Sequence, residues 1–461
     1  MSMRLLSPRL RDLAAAACLA LGTHASHALD LREAHALAIA HDPTLRAAVH
    51  EREAAQALRD MGRAGLLPQL SYSYSRGRND STVRQDTTLG EVRSERRYDN
   101  YASTLQLEQP LLDRAAWARY QLGQSQADAG LARYRAQFQA LAQRLLQAYT
   151  AALLARDRDT LAQRQVQAID ALLRQNQRLR ALGEGTATDV LETEASLAAA
   201  QAERIEAADT LALALRELEA IVGQPVAAHA LPALAETAQA QTLPLDWPDA
   251  EGWQQQALAA NPQLQAQRLA VDAAGHEIAR QQAGHWPRVS LYASHRRTDS
   301  DSENTYGQNY RTNTVGVRLT VPLYAGGGIA AQARQAAQSQ AQAAAELDAL
   351  AQQVSQDIAR AWRRTSSAQA VIAARGQAVR HADEQVRATR LSVRGGERVN
   401  TDVLAAERQL HHARVQLAEA RYTYLQAWLD LHLASGQFEP AHLDALDRQW
   451  AGAPAPASVQ P

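Results

Sequence analysis

Residues 183–194 read GEGTATDVLETE, and residues 396–407 read GERVNTDVLAAE. The two strings share a leading Gly-Glu, then Thr-Asp-Val-Leu and a final Glu, in one register and 213 positions apart. Similarity at a fixed offset indicates an internal repeat. The chain is therefore expected to consist of two structurally related halves.

Other motifs are duplicated at the same offset or a similar one. The offset is 213 downstream of the first pair, 212 at a proline upstream of it, and 219 near the beginning of each half. Each half thus reads as helix, strand, loop, strand, helix, glycine-containing break and helix, with a longer loop in the first copy. The paired positions are Leu197 with Leu410, Gly223-Gln224 with Gly436-Gln437, Pro110 with Pro322, and 42–45 with 261–264.

Two long proline-free stretches predict long helices. Proline is absent between Pro110 and Pro225 and again between Pro322 and Pro440, as uninterrupted helices require. As one helix, positions 112–182 would be about 100 Å long. Apolar residues there recur in steps of three and four, which is the coiled-coil period, at Leu131, Tyr134, Phe138, Leu141, Leu145, Ala148 and Ala152.

Four short segments alternate between apolar and polar residues, which predicts strands at about 68–76, 98–110, 287–296 and 310–322. An apolar face opposite an uncharged polar face is typical of outer-membrane barrels. The polar stretches at roughly 76–97 and 296–310 are expected to be extracellular loops. Four strands cannot close a barrel, and an open sheet edge is not tolerated in lipid, so several chains must contribute strands.

Composition excludes several function classes. The net charge of -1 gives no global field for recruiting nucleic acid. The chain contains no lysine, which rules out a P-loop lysine or a Schiff base. No HExxH or GxSxG motif or cysteine cluster is present, and the adjacent His411 and His412 face different sides of a helix. We therefore predict no catalytic residue, no metal and no cofactor.

The first 28 residues resemble a secretory signal peptide. Arginines precede an apolar run, and small residues ending at Ala28 follow it. A short helix retained in the mature protein is the alternative. The one cysteine, Cys18, lies inside this segment and could instead carry a lipid, although Ala15 fits a lipidation motif poorly.

The chain resembles the TolC family of outer-membrane channel proteins. The resemblance spans the mature chain and rests on the duplication, QPLLDRAAW at 109–117, VPLYAGG at 321–327 and both Gly…Thr-Asp-Val-Leu motifs. It implies a mainly α fold with membrane β-structure. Three protomers would each give four strands to one 12-stranded barrel, continued by a long α-helical coiled-coil barrel.

The resemblance also implies a division of the chain. A signal peptide (1–28) precedes the first repeat (29–224), an equatorial linker (225–250), the second repeat (251–437), and an equatorial segment with a disordered tail (438–461).

Four residues fall on family positions at the periplasmic aperture. Asp402 corresponds to an aperture aspartate and Arg398 to an arginine that latches the closed state. Thr188 and Asp189 correspond to positions that bond across to the neighbouring hairpin. Ala405 stands where relatives carry a second carboxylate, which predicts weaker cation binding.

The alternative role for both aspartates is helix capping, since Asp favours helix starts. Asp189 is expected to be the N-cap, with Glu192 as its capping-box partner, whereas Asp402 lacks such a partner.

The remaining positions implied by the resemblance are structural. Glycines Gly183, Gly185, Gly395 and Gly396 are expected in the hairpin turns, and Pro110, Pro322, Gly326 and Gly327 at the transitions from strand to helix.

The implied function is an outer-membrane exit duct for type I protein secretion or small-molecule efflux, with protein secretion slightly favoured. It would work as a homotrimer with a periplasmic adaptor (a membrane fusion protein) and an inner-membrane ABC or RND-type transporter, and would contact outer-membrane lipid but no nucleic acid. The alternative is a periplasmic coiled-coil adaptor or scaffold without membrane strands.

Overall fold

The computed structural model describes residues 29–88, 90–232, 243–302 and 305–450. The predicted signal peptide at 1–28, with Cys18, and the predicted disordered tail after residue 450 lie outside the described residues.

Helices account for most of the described residues, and four strands form one sheet. None of the helices in the described ranges combines the length and the apolarity needed to cross a lipid bilayer. The helices are α1 (Leu31–His41), α2 (Pro43–Ala64), α3 (Arg114–Ala181), α4 (Ala187–Val222), α5 (Ala250–Ala260), α6 (Pro262–Gln282), α7 (Gly328–Arg394), α8 (Asn400–Ala434) and α9 (Pro440–Asp447). The strands are β1 (Gln69–Thr87), β2 (Gly90–Leu112), β3 (Arg288–Ser302) and β4 (Thr305–Thr320).

The proline-free stretches form two helical hairpins. Hairpin 1 consists of α3 and α4, and hairpin 2 consists of α7 and α8. The longest helix, α3, has 68 residues and therefore a length of about 100 Å. The order of elements is the same in both halves: two helices, two strands and a hairpin.

Prolines and polar caps set where the shorter helices begin. Helices α2, α6 and α9 each begin at a proline, whose fixed φ suits the first helical position. Before α2, the buried Asp42 carboxylate accepts a hydrogen bond from the Leu45 amide at 2.7 Å and pairs with Arg144 at 3.2 Å. The duplicated Asp-Pro and Asn-Pro motifs thus mark a repeated helix start.

The sheet is antiparallel, in the order β1-β2-β3-β4. Its register aligns the predicted apolar positions across all four strands. Leu70 is paired with Leu107, Leu107 with Ala293, and Ala293 with Val315. Val315 is 77% exposed, so the row of apolar side chains faces outward from this chain.

The opposite face of the sheet is polar and carries its own contacts. The Arg318 guanidinium lies 3.8 Å from the Glu108 carboxylate and stacks over the Tyr292 ring, 4.9 Å from its centroid. One face therefore suits lipid and the other suits water.

The prediction of loops at 76–97 and 296–310 is wrong, because the strands continue through most of both segments. β1 and β2 pair along their whole length and turn only at Thr87–Gly90, and β3 and β4 extend to Ser302 and Thr305. Charged side chains of β1 and β2 pair across the two strands, such as Asp80 with Arg97 at 3.0 Å. Polarity there reflects solvated strands and not a loop.

The chain divides into two compact units. Of the described residues, one unit contains 29–47, 137–232, 243–261 and 353–450, and the other contains 48–88, 90–136, 262–302 and 305–352. The second unit holds the sheet with the strand-proximal ends of both hairpins. The first holds both hairpin turns together with α1, α5, α8 and α9.

Within the first unit, α9 forms hydrogen bonds to the first residues of α1. The Asp447 carboxylate in α9 accepts hydrogen bonds from the amides of Leu31 and Arg32, at 2.9 and 3.1 Å. Burial raises the pKa of Asp447 to about 6. The Tyr149 hydroxyl of α3 donates to the Leu29 carbonyl at 2.6 Å, which fixes the same region to hairpin 1.

Candidate functional site at the hairpin turns

The two duplicated sequence motifs build the same turn. In hairpin 1 the Glu184 amide donates to the Leu179 carbonyl at 2.9 Å, and in hairpin 2 the Glu397 amide donates to the Ser392 carbonyl at 2.9 Å. Gly183 has a φ of 78° and Gly396 has a φ of 75°. This is the Schellman motif, in which a left-handed glycine ends the helix and the following amide closes the turn.

The other two turn glycines lie beside these. Gly185 follows the left-handed residue of hairpin 1, and Gly395 precedes that of hairpin 2. All four predicted turn glycines thus lie between the paired helices.

After the first turn, Thr186 caps α4. Its hydroxyl accepts from the Asp189 amide at 3.0 Å, while the Asp189 carboxylate accepts from the Thr186 amide at 3.2 Å and from its hydroxyl at 2.6 Å. The prediction that Asp189 is the N-cap with Glu192 as partner is therefore wrong. The N-cap is Thr186, whose hydroxyl accepts the hydrogen bond from the third helical residue. That residue is Asp189, which completes a capping box.

After the second turn, the cap position is occupied by Val399, which has no polar side-chain atom. Asp402 lies at the same third position, but its carboxylate is 3.5 Å from the Val399 amide. Asp402 is half-buried and Arg398 is exposed, and Arg398 forms no ion pair within the described residues. The Asp402 carboxylate is therefore less engaged by its own helix than that of Asp189.

A buried polar cluster joins the two hairpins beside the turns. Asn176 of α3 donates through its amide to the Thr193 hydroxyl of α4 at 2.8 Å and to the Asn400 side-chain oxygen of α8 at 2.9 Å. Asn400 donates in turn to the Thr193 hydroxyl at 3.0 Å and to the Asp189 carbonyl at 3.3 Å. Asp189 thus bonds across to the neighbouring hairpin through its main chain.

We name Asn176, Thr193 and Asn400 the amide lock. All three side chains are buried, and the Thr193 hydroxyl also donates to the Asp189 carbonyl at 2.6 Å. Buried polar groups with their hydrogen bonds made are costly to separate, because each would be left unsatisfied in the apolar interior. The lock therefore resists separation of the hairpins near their turns.

Sequence reasoning missed the amide lock, although one signal was available. Asn176 lies seven residues after Ile169 and three after Leu173, on the buried stripe of α3. A polar residue at a core position of a coiled coil typically specifies register. Thr188, by contrast, is exposed, and no described contact joins its side chain to hairpin 2.

Further contacts join the hairpins away from the turns. Apolar side chains of Ile169, Ala200 and Leu404 form a small core between α3, α4 and α8. The buried His411 ring of α8 lies 2.9 Å from the Glu203 carboxylate of α4. These contacts maintain the alignment that brings the amide lock together.

Three of the four predicted transition residues lie between β4 and α7, whereas Pro110 lies inside β2. Pro110 lies near the end of β2, at an irregularity in its pairing with β3. Pro322 lies between β4 and α7, followed by Gly326 and Gly327 with φ values of 60° and 78°. Residues with a side chain rarely adopt such φ values, so glycine permits the change of direction there.

The sequence pattern of one family accounts for both halves of the chain. The pattern, described as outer membrane efflux protein, matches residues 35–224 and 253–437. The chain belongs to this family. The matched segments correspond to the two halves of the internal repeat. The resemblance to the TolC family is thereby confirmed.

Individual members of the outer membrane efflux protein family support the assignment. Alkaline protease secretion protein AprF of Pseudomonas aeruginosa is 42% identical over 430 residues, covering 93% of this chain and 89% of AprF. Outer membrane protein TolC of Vibrio cholerae is 29% identical over 425 residues, covering 90% of this chain and 93% of TolC.

A solved structure confirms the fold. The outer membrane protein VceC of Vibrio cholerae has a TM-score of 0.75 at 20% identity, covering 88% of this chain and 96% of VceC. Membership of this family, together with the amphiphilic sheet, makes the alternative of a periplasmic adaptor without membrane strands wrong.

Proposed function

We propose that this protein is the outer-membrane exit duct of a tripartite export system and that it acts as a passive channel. The observation that carries the proposal is the four-stranded sheet whose apolar row crosses every strand, joined in one chain to two long hairpins. Family membership supports placement in the outer membrane, with a large periplasmic part.

The assembly proposed is a homotrimer. β1 and β4 each lack a second partner among the described strands, and open edges are not tolerated in lipid. Three copies would supply twelve strands, within the known range for membrane barrels. In this arrangement the repeats 29–224 and 251–437 each contribute one strand pair and one hairpin. The linker at 225–250 and the segment after 437 form the equatorial part.

The hairpin turns are proposed as the periplasmic gate. Threefold symmetry would place three Asp402 carboxylates around one axis, and such a ring concentrates cations and repels anions. The weak hold of the Val399 amide on Asp402 leaves the carboxylate available for this role. Arg398 is proposed to latch the closed state by pairing with a neighbouring protomer.

Protein is the cargo class that we favour. AprF, whose name describes protease secretion, is more similar to this chain than TolC is, at 42% against 29% identity. Export of small molecules is the second candidate.

Energy for export would come from a periplasmic adaptor and an inner-membrane ABC or RND-type transporter. The composition offers no P-loop lysine with which this chain could use a nucleotide. We assign no catalytic step and no cofactor to this chain.

Deletion and complementation in the native host test the proposal. We expect the deletion strain to lose one or a few secreted proteins, and the wild-type gene to restore them. Loss of drug resistance without loss of any secreted protein would assign small-molecule efflux instead. No change in either, together with a monomer in mild detergent that shows no conductance in bilayers, would refute the duct.

The gate is tested separately by Asp402→Asn, which removes the charge and retains an acceptor for the Val399 amide. In planar bilayers we expect reduced cation preference and weaker blockade by trivalent cations. Asp189→Asn is the matched comparison, because the Asp189 carboxylate is held by Thr186. Equal selectivity in both variants and the wild type would remove Asp402 from the aperture.

A further inference from the structure

Three potential metal ligands converge in the first unit, away from the hairpin turns. They are Asp246 in the segment before α5, His432 near the end of α8, and His442 in α9. One ligating atom from each residue lies within 4.8 Å of the other two. His432 is buried and Asp246 is exposed, so the cluster has an apolar side and a side open to solvent.

His432 is held in one orientation. Its Nδ1 lies 2.8 Å from the Trp428 carbonyl, which can only accept, so Nδ1 carries the proton. The Nε2 atom lies 3.6 Å from the Asp246 carboxylate. In the tautomer that protonates Nδ1, the lone pair of Nε2 is directed toward this carboxylate, and a cation between the two acceptors would be bound by both.

The segment that carries Asp246 is fixed on both sides. The Trp428 indole donates to the Pro244 carbonyl at 2.8 Å, and the Trp253 indole donates to the Trp247 carbonyl at 3.1 Å. These bonds position Asp246 against His432 without using its carboxylate. The backbone that carries the carboxylate is thus fixed opposite a fixed imidazole, and such positioning of ligands by surrounding hydrogen bonds is typical of metal sites.

Aromatic rings enclose the buried side of the cluster. The His432 ring lies 4.1 Å from that of Trp428, 4.9 Å from Trp253 and 4.3 Å from His442, measured between centroids. An apolar wall limits water access and strengthens ligand bonds, as it does around known metal sites.

We propose that Asp246, His432 and His442 bind a divalent transition-metal ion of the Zn²⁺ type. Two imidazoles and one carboxylate form a donor set that suits such ions, with water completing the coordination. Ligands at about 2.0–2.1 Å in tetrahedral geometry lie about 3.3 Å apart. The Asp246–His432 distance of 3.6 Å is close to this, and the exposed Asp246 side chain can rotate to close the rest.

The rival to a metal ion is a hydrogen bond donated by the neutral His442 ring. The Glu439 amide donates to His442 Nδ1 at 2.9 Å, which places the proton of the neutral ring on Nε2. If Nε2–H bridges to His432 or Asp246, the cluster is a hydrogen-bonded group without a metal. Metal binding through Nε2 would move the ring proton to Nδ1. Nδ1 could then no longer accept the hydrogen bond from the Glu439 amide.

The bound ion would join the linker, the end of hairpin 2 and the last helix. Because the ligands come from three separate parts of the chain, binding would stabilise the folded state by linkage. This site revises the prediction of no metal, and it does not depend on the channel function.

The site is tested by Zn²⁺ titration of the purified full-length protein in detergent. Any histidine tag and any metal already bound are removed beforehand. Asp246→Asn and His442→Gln are the test variants. Gln at the third helical position retains the acceptor for the Glu439 amide. Asp249→Asn is the matched control, because Asp249 caps α5 by accepting from the Gly252 amide at 2.8 Å, and Asn caps equally well.

We expect calorimetry to give one Zn²⁺ per chain, with affinity lowered at least about 100-fold in both test variants and unchanged in Asp249→Asn. Zn²⁺ should raise the unfolding temperature of the wild type and the control only. Co²⁺ bound at the same site should give visible d–d absorption. Absence of binding to the wild type, or equal binding to Asp246→Asn and Asp249→Asn, would overturn the proposal in favour of the hydrogen-bonded cluster.

Discussion

The amide lock should hold the proposed gate closed, and Asn400→Ala is the substitution that tests this. The Asn400 side chain accepts from Asn176 at 2.9 Å and donates to Thr193 and Asp189 at 3.0 and 3.3 Å. Each such bond contributes about 0.5–1.5 kcal/mol net, so removing all three costs about 1.5–4.5 kcal/mol. Asn176 and Asp189 would also lose partners in a buried setting.

If opening separates the hairpins at this point, the wild type must break these bonds and Asn400→Ala need not. A difference of about 2 kcal/mol shifts the closed–open equilibrium about 30-fold toward the open state. Single-channel recording in planar bilayers measures this as a larger open fraction. Thr401→Ala is the control, because Thr401 is the neighbouring residue of α8 and its side chain is exposed.

Thr193→Val provides a second route to the same contact. It retains the side-chain shape and removes the hydroxyl that accepts from both Asn176 and Asn400. Both single variants remove the hydrogen bond between Asn400 and Thr193. We therefore expect the double variant to shift the free energy of opening by less than the sum of the two single shifts. If Asn400→Ala unfolds at a lower temperature but conducts as the wild type does, the lock stabilises the hairpins without closing the channel.

Three further predictions follow from other parts of the structure. Because the buried Asp447 has a raised pKa of about 6, its protonated form favours folding, so stability should fall as pH rises from about 4 to about 6; Asp447→Asn should flatten the melting temperatures over that window. Gly396→Ala should destabilise by about 1 kcal/mol in chemical unfolding because φ is 75°, whereas Gly395→Ala, which has no positive φ, should cost less. Val315→Arg on the apolar face should cost about 2–4 kcal/mol if it lies near the middle of the bilayer and should reduce heat-modifiable oligomer on gels, while Thr314→Arg on the polar face should assemble normally.

The repeat, the hairpins and the apolar face of the sheet were predictable from sequence because each depends on local periodicity. The Gly-Glu motifs at 183 and 396 produce the same turn, since the hydrogen bonds that close it are made by backbone within six residues. Strand alternation likewise predicted the apolar face of each strand, to which Leu70 and Val315 belong, while the alignment of these faces in one row comes from the register of the sheet.

Features that depend on partners distant in sequence were not predictable. The extensions of β1 and β2 beyond residue 76 pair opposite charges across the two strands, and such charged segments are typical of loops when each is considered alone. The extension of β3 beyond residue 296 is evident only from its pairing with β4. The amide lock joins α3, α4 and α8, and its members become informative only when the helices are placed side by side. Asp246 and His432 likewise come together only through folding.

The composition of the amide lock determines which signals it can respond to. Amides and hydroxyls have no net charge at physiological pH, so acidification and ionic strength leave these bonds intact. Mechanical force applied by another protein is a stimulus of a different kind, since it acts on the helices themselves. The contribution of the amide lock to closure would therefore not change with the pH or salt of the cell envelope, and it would be overcome by a protein that binds the helices and pulls them apart.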